Sequence, residues 1–79
     1  MLEEALRHLV QGIVDHPEDV SVTEKNQRRG KCLDVRVNPE DMGRVIGRAG
    51  RTASALRTVV TALNNGRGVR IDFLDVAER

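Results

Sequence analysis

The sequence predicts an α+β domain of element order αββααβ, two layers deep, with three helices on one face of a three-stranded sheet. Three observations carry that expectation. Apolar residues switch between helical and alternating spacing along the chain, a polar glycine-containing turn joins two alternating segments, and Gly47 and Gly50 interrupt an otherwise helix-favouring run. At 79 residues the chain is long enough for one modest core, so residues 1–79 are read as a single domain.

Leu2, Leu6, Leu9, Val10 and Ile13 recur at helical spacing, with Glu3 and Glu4 near the positive N-terminal end. This predicts an amphipathic helix stopped before Pro17. Val20 and Val22 then alternate with Ser21 and Thr23, and Leu33, Val35 and Val37 alternate with Cys32, Asp34 and Arg36. The polar stretch Asn26-Gln27-Arg28-Arg29-Gly30 between them predicts a β-hairpin with one face inward.

Asn38-Pro39-Glu40-Asp41 is a strong helix start: a capping residue, a proline whose missing N–H costs nothing in the first turn, then two acids. Met42, Val45 and Ile46 point to the core from the short helix that follows. Beyond the two glycines, Ala53, Leu56, Val60 and Leu63 form an apolar stripe opposed by Arg51, Ser54, Arg57, Thr58 and Thr61. Asn64-Asn65-Gly66 ends this second helix. Val69, Ile71 and Phe73 alternate with Arg70 and Asp72 as a last strand, leaving Asp75 to Arg79 as a frayed tail.

Charge is informative by its placement. The formal net charge is only +1, yet Arg44, Arg48, Arg51 and Arg57 gather around the glycine turn, and no Asp or Glu occurs between Met42 and Ile71. Gly47 is read as taking the left-handed conformation that ends a helix, and Gly50 as allowing close approach of another backbone. The following helix start offers unpaired N–H groups and a positive dipole end, which suit phosphate. These features point to a grip on a nucleic-acid backbone. Arg67 and Arg70 read either as an extension of the basic surface or as plain surface charges, and Lys25, Arg28, Arg29 and Lys31, which crowd the hairpin turn, read first as a solubility feature and only second as another RNA contact.

Other classes find little support. Aromatic content of 1%, Phe73 alone, argues against folds that stack bases on exposed rings. The glycine loop lacks the Lys-Ser/Thr pair of a phosphate-binding loop, no catalytic Ser, Cys or His arrangement occurs, and His8 and His16 read as surface residues without partners. A lone Cys32 implies a reducing compartment and a passive strand residue, with no metal or cofactor site. No apolar run approaches a membrane span, and the acidic start differs from a signal peptide, so a cytoplasmic location is expected. A DNA-binding helix-turn-helix is a rival, but in its winged form the hairpin follows the recognition helix, whereas here it precedes. A plain αα-corner and a dimerisation module holding no RNA itself are the other readings. Ala55, Val59 and Ala62 flank the apolar stripe and are a candidate dimer interface.

The run Val45-Ile46-Gly47-Arg48-Ala49-Gly50-Arg51-Thr52-Ala53-Ser54-Ala55-Leu56, set between two short helices after a hairpin, resembles a KH domain of the type II arrangement, whose sheet is mixed. In length and in the run onward to Arg57-Thr58-Val59-Val60, the chain is similar to the KhpA (YlqC) family of small single-KH proteins. Ala53 departs from the larger aliphatic residue that many KH domains carry there. The resemblance implies binding of single-stranded RNA, with about four nucleotides gripped through the backbone. It makes Gly47, Arg48, Ala49 and Gly50 the phosphate-contacting loop, Ile46 the groove floor, and Arg44 and Arg51 the flanking cations. It also implies a homodimer, a complex with a KhpB (Jag/EloR)-like partner, and RNA-chaperone activity tied to cell-wall homeostasis and cell length, with no small-molecule substrate.

Overall fold

The computed structural model describes residues 1–28 and 30–77, so Arg29 of the hairpin turn and Glu78 and Arg79 of the tail lie outside the described residues. The elements are α1 (Leu2–Gln11), β1 (Ser21–Gln27), β2 (Gly30–Val37), α2 (Met42–Ile46), α3 (Arg51–Leu63) and β3 (Arg70–Asp75). β1 and β2 form an antiparallel hairpin in which Val22 faces Val35 and Gln27 faces Gly30. β3 lies parallel to β2 on its other side, with Leu33 opposite Ile71 and Val37 opposite Asp75. The sheet is therefore mixed, in the order β1-β2-β3. A parallel pair needs a long crossover, and α2 and α3 supply it.

One face of the sheet carries all three helices. Leu33, Val35 and Val37, spaced two apart on the central strand, cluster with Leu6 and Val10 of α1, Val45 of α2, Leu56 and Val60 of α3, and Ile71 of β3. The other face is polar, but it is not simply solvated: Cys32 and Asp34 are buried there at 2% and 7% exposure. Their shielding comes from neighbours, since Lys25 and Thr23 on β1 and Arg70 and Asp72 on β3 share their rows.

Four details depart from the sequence reading. α1 ends at Gln11, capped by the Gly12 N–H on the His8 and Leu9 carbonyls, and Ile13 sits beyond it, 38% exposed. Asp75, expected in a tail, closes β3, and the Val76 N–H continues the ladder to the Val37 carbonyl at 2.8 Å. Leu63, expected in the core stripe, is 55% exposed because the last turn of α3 runs past the sheet-facing cluster. His16, expected to lack a partner, is tied to Asp41.

That tie organises one side of the molecule. Asp41 is 1% exposed and accepts from the Asp15 and His16 backbone amides at 3.1 and 2.9 Å and from His16 Nδ1 at 3.1 Å. It fastens the α1–β1 connection to the entrance of α2. The same entrance is capped as the sequence predicts: Asn38 accepts the Glu40 N–H at 2.8 Å and its amide donates to Asp19 at 3.0 Å.

Candidate nucleic-acid interface

α2 closes when the Gly47 N–H bonds the Gly43 carbonyl at 2.9 Å. Gly47 then turns to φ 76°, ψ 172°, a mirror-extended geometry rather than the left-handed helical one read from the sequence. This region is essentially closed to side chains, and a Cβ here would collide with Thr52, reaching its Oγ1 and standing 2.8 Å from its Cβ and backbone nitrogen. A single 3-10 turn, Arg48–Gly50, follows. The left-handed conformation falls on Ala49, at φ 55°, ψ 25°, and on Gly50, at φ 75°, ψ 16°. Open space surrounds the position of a Gly50 Cβ, so glycine is favoured there by its dihedral angles alone, which Ala49 beside it adopts at a cost.

The turn projects outward. Arg48 and Ala49 are exposed, while Gly47 and Gly50 are half-buried. Ile46 is half-buried and rests on the core cluster beside the turn. No side chain caps the N-terminus of α3, and its first turn holds no acid. Arg48 and Arg51 instead sit at the positive end of a 13-residue helix, where a cation costs about 0.3–1 kcal/mol. Neither has a carboxylate partner among the described residues, and Arg57 is likewise unpaired and exposed. An anion bridging these groups would reverse the repulsion.

Arg44 differs. Its Nη2 lies 3.1 Å from Asp15 Oδ2, both side chains being more than half exposed. The carboxylate comes from the α1–β1 connection, so the acid-free stretch of sequence is not acid-free in space. Asp15 is a residue that spacing alone does not connect to the turn. Lys25 pairs with Asp34 at 2.7 Å, Lys31 with Glu24 at 3.8 Å, and Arg70 with Asp72 at 3.1 Å. Much of the basic character expected around the hairpin and last strand is thus neutralised, whereas Arg48, Arg51, Arg57, Arg28 and Arg67 remain unpaired among the described residues.

Strand pairing also assembles Cys32, Asp34 and Asp72, whose donor atoms lie within 4.8 Å of one another. Lys25 and Arg70 already neutralise the two carboxylates, and the Cys32 thiol donates to Asp72 at 3.4 Å. Burial, followed by the Asp72 hydrogen bond, pushes the thiol above its ordinary range, which suppresses thiolate chemistry. His8 is exposed, in keeping with a surface role.

Ala55, Val59 and Ala62 are exposed on one flank of α3, Val59 at 42% and the neighbouring Leu63 at 55%. They leave an apolar strip uncovered by α1. No helix among the described residues is long and apolar enough to cross a membrane.

Comparison with known proteins agrees with this geometry. The family described as KhpA/KhpB, KH domain, matches residues 3–74. The RNA-binding protein KhpA of Leifsonia xyli subsp. xyli is 67% identical over 75 residues, covering 95% of this chain and 99% of the relative. KhpA of Streptomyces coelicolor is 67% identical over 76 residues, covering 96% and 95%. KhpA of Mycobacterium tuberculosis is 54% identical over 72 residues, covering 91% and 89%. No solved structure matches the chain.

Proposed function

The chain belongs to the KhpA/KhpB KH-domain family, and from that premise we propose that it binds single-stranded RNA through the Gly47–Gly50 turn. The observation that carries this reading is the pair of unpaired arginines, Arg48 and Arg51, at the uncapped positive end of α3. Folding gains nothing from cations there, whereas a phosphate would meet guanidinium groups and main-chain amides together. Arg44 flanks the strand once released from Asp15, and Ile46 floors the groove. The protein acts as a binding module rather than an enzyme.

The finer reading follows the family. The chain works in the cytoplasm as an RNA chaperone, as a homodimer through Ala55, Val59 and Ala62 or in a complex with a KhpB-like protein, with an influence on cell-wall homeostasis and cell length. The exposed apolar strip on α3 supports the dimer.

The test replaces Arg48 and Ala49 together with Asp. Both side chains face solvent, and Asp tolerates the left-handed angles of position 49. The double variant is expected to keep its circular dichroism spectrum and to melt no lower than wild type, since Asp at position 48 suits the positive end of α3, while losing affinity for oligoribonucleotides. Normal binding by the variant would remove the turn from the interface.

A further inference from the structure

At the far end of α3 the chain has a second polar concavity. Ser54, Arg57, Thr61 and Asn64 recur at the spacing of one helix face, leading away from the glycine turn along the polar flank of α3. They end at a cavity of about 520 Å³ lined by Gly30, Lys31, Asn64, Asn65, Arg67 and Gly68. A neighbouring cavity of about 320 Å³ shares Lys31 and Asn64 as walls. Three separate segments meet here: the start of β2, the end of α3 and the loop before β3.

The wall charges are all positive. Arg67 has no carboxylate partner among the described residues, and Lys31 has only Glu24, at 3.8 Å and outside the cavity lining. Main-chain donors serve the Val60 and Thr61 carbonyls at the end of α3, and the two cations stand at the negative end of its dipole, which they also offset. The Gly66 N–H bonds the Thr61 carbonyl at 2.9 Å, and the Asn64 N–H bonds those of Val60 and Thr61 at 3.0 and 3.1 Å. The Asn64 amide donates to the Arg67 carbonyl at 3.3 Å, which holds the loop and leaves the Asn64 Oδ1 as an acceptor.

We propose that this cavity holds a second phosphate of the same RNA strand, with Lys31 and Arg67 as its cations and Asn64 and Asn65 beside the attached nucleoside. The assignment rests on the reading of the glycine turn as the first grip. α3 has 13 residues and spans about 20 Å. That is about six stacked nucleotides at ~3.4 Å each, so the second phosphate lies beyond the four nucleotides held at the turn. Short strands reach one site, and longer strands reach both.

Equilibrium binding of a labelled tetranucleotide and a labelled dodecanucleotide of uridine tests this. Wild type is compared with the Lys31→Ala, Arg67→Ala double variant over a salt series. The tetranucleotide should bind both proteins equally. The dodecanucleotide should bind the variant about tenfold more weakly at 0.15 M salt, with a log-log salt slope shallower by about 1.4, the value for two lost contacts on a single strand. A Lys31→Arg, Arg67→Lys variant should restore the loss. In amide NMR spectra of wild type, Gly30, Asn65 and Gly68 should shift with the dodecanucleotide and stay fixed with the tetranucleotide. Shifts produced equally by uridine monophosphate would assign the cavity to free nucleotides and overturn the strand reading. Equal dodecanucleotide binding by wild type and the double variant would overturn the second site alone. Failure of wild type to bind the tetranucleotide would instead sink the grip at the turn.

Discussion

Gly47 and Ala49 show how much of this site lies in backbone conformation. Gly47→Ala should destabilise the fold by about 1–3 kcal/mol from the dihedral angles alone, with further loss from the clash against Thr52, measurable by urea unfolding. Ala49→Gly should do the opposite, because relief of the left-handed strain outweighs the added chain entropy, for a net gain of up to about 1 kcal/mol. Asp15 acts on charge: with Arg44 released, Asp15→Asn should tighten RNA binding about two- to fivefold, the range of an exposed ion pair. His16 and Asp41 carry the pH dependence. The Asp41 hydrogen bond raises His16 above its ordinary value of 6.5, burial opposing and the charges of Asp41, Glu40 and Glu18 adding to it. Burial alone would raise Asp41, but the Asp15 and His16 amides and the His16 ring together hold it below 3.8. The histidine contribution is complete below about pH 6.5 and is lost as pH rises through its raised value. The aspartate contribution is complete above about pH 4 and is lost as pH falls through its lowered value. The melting-temperature difference between wild type and His16→Gln should therefore be largest between about pH 4 and 6.5 and should shrink at alkaline pH.

Among the elements, α3 carries the most functions at once. Ala53, Leu56 and Val60 anchor it to the sheet, its N-terminus faces the turn, and its flank holds Ala55, Val59, Ala62 and the exposed Leu63. Solvation of Val59 and Leu63 leaves apolar surface whose burial in a symmetric contact would be worth about 25 cal/mol per Å². Val59→Asp should convert a dimer to a monomer in analytical ultracentrifugation without lowering the melting temperature of the monomer. An unchanged sedimentation coefficient would dismiss this flank as an interface. The helix boundaries here were legible, since Asn64-Asn65-Gly66 is a clear stop: Asn65 and Gly66 take φ 58° and 79° as the chain leaves the helix. The end of α1 was not legible. Ile13 continues the apolar spacing, but Gly12 caps the helix early and Asp41 captures the Asp15 and His16 amides from a distant element.

For the whole molecule, net charge says little and its three-dimensional arrangement says much. RNA affinity should fall with salt at a log-log slope of about −2 to −3 for the three or four phosphates held near the turn by a short strand; a flat dependence would favour a dimerisation module that holds no RNA itself. The chain by itself determined the element order, the inward faces of the strands, the capped start of α2 and the position of the glycine turn, because these depend on local periodicity, capping and backbone freedom. Tertiary structure alone decided which charges remain free. Asp15 reaches Arg44 across 29 positions, Lys25 finds Asp34 across the hairpin, and Asp72 meets Arg70 and Cys32 on adjacent parallel strands. Such pairings depend on how elements dock, and no local rule of spacing contains that information. The arginines left over after docking, at the turn and at the far end of α3, therefore became identifiable only once the sheet and helices were assembled.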